Sequence, residues 1–88
     1  MSYHLDFTHR ANNDIASLKK SGNKAVLTKL LDLLEELTEH PFTGTGKPEA
    51  LRHSLAGLWS RRINLEHRLI YQVYEDIVVI LSAKGHYE

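Results

Sequence analysis

Polar and apolar positions alternate at the start of the chain. Tyr3, Leu5 and Phe7 are separated by His4 and Asp6, the two-residue period of a strand with one buried face. The period then lengthens. Thr8 is suited to cap a helix in which Ala11, Ile15 and Leu18 share one side, and Ser21-Gly22 ends it, with Gly22 as a left-handed terminator. A second helix is predicted from Lys24 to His40. Val26, Leu27, Leu30, Leu31, Leu33, Leu34 and Leu37 form its broad apolar face, opposite Lys24, Thr28, Asp32, Glu35, Glu36 and Glu39. Its carboxylates fall late, against the helix dipole, so that face is either simply solvated or an acidic surface for a basic partner.

Pro41 stops the helix, and Thr43-Gly44-Thr45-Gly46 reads as a loop without the spacing of a nucleotide-binding fingerprint. Pro48 restricts Lys47 to extended conformations, so Glu49 leaves the loop at a defined angle. Leu51 to Leu55 is read as a short strand and Ala56-Gly57 as a turn. Three strands follow, Leu58 to Ile63, Arg68 to Tyr74 and Ile77 to Ala83, joined by short connections at 64–67 and at Glu75-Asp76. The order is an α+β fold: an N-terminal strand, two helices, then a twisted antiparallel sheet with both helices on one face.

Eighty-eight residues suffice for one hydrophobic core, so a single domain spanning 1–88 is expected. Nothing approaches the roughly 18 apolar residues of a membrane span, and MSYHLDF has neither the basic start nor the apolar block of a secretory signal. Cysteine is absent, which removes disulfides, thiolate metal sites and thiol nucleophiles. A cytoplasmic protein with no membrane partner is the simplest expectation.

Charge changes this picture by its distribution. The net charge is zero, yet residues 44–68 hold five cations (Lys47, Arg52, Arg61, Arg62, Arg68) against Glu49 and Glu66. Phosphates respond to such a patch and not to the average. Arg61 and Arg62, adjacent in a strand, point to opposite faces, so one of them lies over the sheet or pairs with a carboxylate. The final Lys84-Gly85-His86-Tyr87-Glu88 comes off the last strand and can reach the sheet edge where Glu49 and the arginines project. Carboxylate, imidazole, phenol and guanidinium together suit RNA cleavage by a 2′-hydroxyl attacking its own phosphate. That reaction needs a base, an acid for the departing 5′ oxygen, and cations for the charge on phosphorus. Taken singly, the same residues have plainer readings. Glu49 is a surface charge, His86 a tail histidine in water, His40 and His67 exposed, Tyr71 and Tyr74 packing residues, and Trp59 core or interface.

Their combination resembles a known family, the YoeB-like toxins (Txe/YoeB) of the RelE-like superfamily. The match is carried by Pro41-Phe42-x-Gly-x-Gly-Lys-Pro-Glu49, Leu51-x-His53-x-Leu55-x-Gly57-x-Trp59-Ser60-Arg61-Arg62-Ile63, Glu66-His67-Arg68-Leu69-x-Tyr71 and the terminal His86-Tyr87. The resemblance implies a RelE-like, microbial-RNase-like fold. It also implies cleavage of mRNA in the ribosomal A site, held in check by a cognate antitoxin (YefM/Axe-like), with promoter DNA contacted only through that antitoxin. Carried over, Glu49 is the general base, His86 the general acid, Arg68 the phosphate stabiliser, and Tyr87 shapes the site. Lys47, Arg52, Arg62, Glu66 and Lys84 are supporting or RNA-contact positions. No metal and no cofactor are implied, and homodimerisation is left open. Lys84 departs from the arginine common at that position, replacing a bidentate fork by a point charge, and Glu88 extends the tail past the usual tyrosine. Two other readings stand beside the leading one: a weakly active or inactive homologue that mainly binds antitoxin and co-regulates transcription, and a nuclease that needs no ribosome.

Overall fold

A computed structural model describes residues 2–85. The expectations placed on His86, Tyr87 and Glu88 lie outside the described residues. Strand β1 is His4–Phe7, helices α1 and α2 are His9–Lys20 and Lys24–Leu37, and strands β2 to β5 are Glu49–Ala50, Leu58–Arg62, Arg68–Tyr74 and Ile77–Ser82. They form one sheet in the order β1-β5-β4-β3-β2.

Local chemistry accounts for most boundaries. The Thr8 hydroxyl oxygen accepts the Ala11 N–H at 3.0 Å and donates to the Leu81 carbonyl, so the α1 cap also fastens the helix to β5. Asn23 caps α2 by accepting the Val26 N–H at 3.1 Å. Gly22 sits at φ 74°, the predicted left-handed terminator. Helix α2 ends at Leu37, three residues before the predicted stop, because the N–H groups of Thr38 and Glu39 turn back to carbonyls three residues earlier. Its leucines face the sheet as expected, with Leu30, Leu33 and Leu37 fully buried beneath Leu69, Tyr71, Val78 and Ile80. Leu31 departs from the predicted face and is 59% exposed.

Four expectations are corrected. The sheet is mixed: β2 to β5 pair antiparallel, but β1 lies parallel to β5, with Leu5 beside Val78. The two helices carry the chain across one sheet face to the far edge, and it returns strand by strand until β5 meets β1 in the same direction. Lys47 is not extended before Pro48 but stands at φ 52°, in the left-handed region. Leu51 to Leu55 is not a strand. Pairing stops at Ala50, the Leu51 N–H closes on the Leu58 carbonyl at 2.9 Å, and His53–Leu55 is a 3₁₀ turn. Tyr74 is 63% exposed and does not pack in the core, whereas Tyr71 is fully buried.

The turns between the last strands depend on side chains. In the β3–β4 loop the Asn64 carboxamide oxygen accepts the N–H groups of Glu66 and His67, at 2.9 and 2.7 Å. Glu75-Asp76 makes the predicted two-residue hairpin, with Glu75 at φ 55°. No described helix is long and apolar enough to cross a membrane.

Candidate functional site

Strand alternation decides which side chains meet. On β3, Trp59 and Arg61 turn toward the helices, so Leu58, Ser60 and Arg62 turn away. Cross-strand register carries this second face outward. Glu49 of β2 is beside Ser60, Ser60 beside Ile70 of β4, Arg62 beside Arg68, and Leu58 beside Gln72. Ser60 and Ile70 are almost inaccessible, at 1% and 2%, yet Ile70 takes no part in the helix-side core. They form the floor of a face opposite the helices, rimmed by Glu49, Arg62, Arg68 and Gln72.

Glu49 lies two strand spacings from β4 and level with Ile70, two residues along from Arg68, which puts the two backbones about 12 Å apart. Extended glutamate and arginine side chains can close on one phosphodiester across that gap. Arg62 and Arg68 stand directly opposite each other, and like charges so placed repel. Among the described residues neither guanidinium is in an ion pair. An anion bound between them would relieve the repulsion, which makes this rim a natural seat for phosphate.

The loop that delivers Glu49 is held from below. Arg61 is completely buried and uses all five of its N–H donors. Its Nε donates to the Tyr71 hydroxyl at 3.1 Å, Nη1 to Glu36 at 2.6 Å and to the Thr45 carbonyl at 3.3 Å, and Nη2 to the carbonyls of His40 and Thr43. Tyr71 in turn donates to the Pro41 carbonyl at 2.7 Å, and Glu36 accepts the Thr45 N–H at 2.6 Å. Residues 40–45 thus wrap one guanidinium. Here is the arginine that pairs with a carboxylate, and Glu36 is not merely a solvated charge on α2. Two glycines permit the wrapping. A Cβ on Gly44 would collide with the Glu36 carboxylate, and one on Gly46 would lie 2.9 Å from the Arg62 carbonyl. Gly46 also sits at φ 83° and accepts the Arg62 N–H at 2.7 Å, joining the loop to β3 just before Lys47-Pro48-Glu49.

Burial pushes the Glu36 pKa up, but hydrogen bonds from Thr45 and Arg61 and the Arg61 charge outweigh it and leave it below the ordinary carboxylate value. Burial is the main reason the Tyr71 phenol lies above its ordinary value, keeping it neutral and able to donate. A carboxylate with a depressed folded-state pKa stabilises the fold above its unfolded pKa, and that contribution is lost as pH falls through the folded value. Urea melts should therefore show wild-type stability falling on acidification below the usual carboxylate range. The fall should be shallower in Glu36→Gln, which starts from lower stability at neutral pH.

The remaining predicted site residues are dispersed around this face. Lys47 and Arg52 are exposed on the segments flanking β2. Glu66 is exposed in the β3–β4 loop, 3.1 Å from His67. Lys84 leans to the helix side, where its ammonium donates to Ser17 of α1 at 2.9 Å. Both Glu66 and Lys84 line a cleft of about 400 Å³ between the helices and the β3–β4 loop. Gly85, which directly precedes His86, meets the site: its carbonyl accepts the Arg68 N–H at 3.0 Å and its N–H donates to His67 Nδ1 at 2.9 Å. His67, expected in solvent, has a side chain only 12% exposed. Among the described residues no three His, Asp or Glu side chains are grouped to hold a metal.

Residues 7–87 match the family model of the YoeB-like toxin of bacterial type II toxin–antitoxin systems. The chain belongs to that family. It is 45% identical to Toxin YoeB of Escherichia coli strain K12 over 65 residues, 74% of this chain and 77% of that one. Among solved structures it is similar to the YoeB dimer from Staphylococcus aureus, at TM-score 0.85 and 35% identity, covering 99% of this chain and 100% of the other. It is likewise similar to the toxin of the YoeB-YefM complex from Staphylococcus aureus, at TM-score 0.83 and 36% identity, with the same coverage. The protein is thus a YoeB-family toxin of a type II toxin–antitoxin system.

Proposed function

We propose that this YoeB-family toxin is a ribosome-dependent endoribonuclease that cleaves mRNA in the A site and so stops translation. The observation that carries the reading is one shared face: Glu49 and Arg68 rim it from β2 and β4, and Gly85 docks on the Arg68 backbone immediately before His86-Tyr87. Glu49 takes the proton from the 2′-hydroxyl, and the freed oxygen attacks the adjacent phosphorus. The bond to the 5′ oxygen breaks as His86 gives that oxygen a proton. Arg68, with Arg62 beside it, holds the charge that builds on the phosphate. Tyr87 shapes the site around the scissile nucleotide. The products are a 2′,3′-cyclic phosphate and a 5′-hydroxyl, formed by side chains with no metal and no cofactor.

A YefM-like antitoxin is the proposed partner, by analogy with the Staphylococcus aureus YoeB-YefM complex, with promoter DNA contacted through the antitoxin. Homodimerisation follows the analogous YoeB dimer. Primer extension on a translated message should map cuts inside the A-site codon, while the same RNA without ribosomes stays intact. Equal cutting of naked RNA would replace this reading by a free nuclease. Absence of both cutting and growth arrest would leave an antitoxin-binding protein.

A further inference from the structure

We propose that His67 is a positioning residue that aims the C-terminal segment at the reaction, an inference that rests on the nuclease reading above. The residues leading to His86 are held one after another. Asp14 of α1 accepts the Ala83 N–H at 3.1 Å, Ser17 of α1 accepts from the Lys84 ammonium at 2.9 Å, and Gly85 is then gripped from both sides. Its N–H enters His67 Nδ1 at 2.9 Å, and its carbonyl receives the Arg68 N–H at 3.0 Å. Gly85 has φ 78°, so the chain turns at the gripped residue in a conformation that disfavours side chains.

The imidazole is built to act as an acceptor. Nδ1 can receive an N–H only when it carries no proton, which puts the ring's single proton on Nε2. That nitrogen lies 3.1 Å from the exposed Glu66 carboxylate. The ring's own backbone is pinned as well: its N–H goes to Asn64 Oδ1 at 2.7 Å and its carbonyl accepts the Ile63 N–H at 3.0 Å. His67 and Gly85 therefore form a clasp of fixed direction, ending where the proposed acid begins.

A second proton on the ring would turn Nδ1 into a donor facing another donor, and the clasp would open. Among the described residues, Glu66 and Lys84 line the same cleft as the ring, Arg68 follows it on β4, and Asp14 of α1 accepts the Ala83 N–H two residues before Gly85. The helices contribute only the neutral Ser17, Ser21 and Asn23 to the polar lining of that cleft. Tail placement, and with it cleavage, is thus tied to an acceptor nitrogen that acts through the Gly85 backbone.

Two variants and one spectroscopic measurement test this. His67→Leu removes the acceptor and should lower kcat for A-site cleavage roughly a hundredfold, the scale of a misplacement near 1 Å, with KM unchanged. His67→Asn offers an amide oxygen close to where Nδ1 stands and should recover most of the rate. Its activity should also persist to lower pH than that of wild type, because the replacement acceptor does not titrate. In ¹⁵N-labelled toxin, a scalar coupling across the hydrogen bond should link the Gly85 amide nitrogen to His67 Nδ1 at neutral pH and vanish on acidification.

A folded His67→Leu protein that cuts at the wild-type rate, or the absence of that coupling, overturns the clasp alone. Should His67→Leu fail to fold, the wild-type coupling and the His67→Asn pH profile decide the matter. Wild type that cuts no RNA would instead remove the nuclease reading, and with it any catalytic purpose of the clasp.

Discussion

Glu49→Gln keeps the size and polarity of the side chain but removes its ability to take a proton, and should lower A-site cleavage by about 10²- to 10⁴-fold. The substituted amide would still reach the same rim, since β2 pairs with β3 through backbone groups at Glu49 and Ala50. Arg68→Ala should cost on the order of 10²- to 10³-fold, the usual loss on deleting one transition-state stabiliser. Both variants should remain folded, because neither side chain contributes to the helix-side core. Single-turnover cleavage on programmed ribosomes measures the effect. Wild-type rates in both variants would remove Glu49 and Arg68 from the chemistry.

Arg61→Leu should cause the largest loss of stability of any single change in this region. It leaves Glu36 without its partner, strands the carbonyls of His40, Thr43 and Thr45, and takes a donor from Tyr71. Breaking a buried charged network from one side costs about 3–5 kcal/mol. For a domain of this length each kcal/mol moves Tm by roughly 4–8 °C. Arg61→Lys should fall between wild type and Arg61→Leu, since one ammonium has three donors where five are used. Calorimetry of both variants, purified through their antitoxin, checks the order. The lysine variant should also cut more slowly, because the loop that the guanidinium organises leads directly into Glu49.

The chain carries a great deal of this in its order of residues. A strong leucine period announces α2, β-branched and aromatic runs announce β3 to β5, and Thr8 and Gly22 mark the ends of α1, because these signals act within a few residues of themselves. The motif around Glu49, the paired arginines and His86-Tyr87 names the family without coordinates. Misread segments lie where distant contacts outweigh local preference. The strand reading of Leu51 to Leu55 fails because the segment is bent by a loop closed at Leu51 and Leu58. Tyr74 and Leu31 are apolar enough for a core, yet fall where no second layer covers them.

What residue order determines here is the α+β character, the family, and the list of chemically capable side chains. Which of them face one another was decided only in three dimensions. Strand register, a property of two segments at once, puts Glu49 and Arg68 on one face and sends Arg61 to the other. The same folding draws Glu36 out of the solvent face of α2 and sets His67 against Gly85, eighteen residues away along the chain. A linear sequence records which groups exist, but hydrogen-bond direction and burial arise from pairing across the sheet, and no local period encodes them.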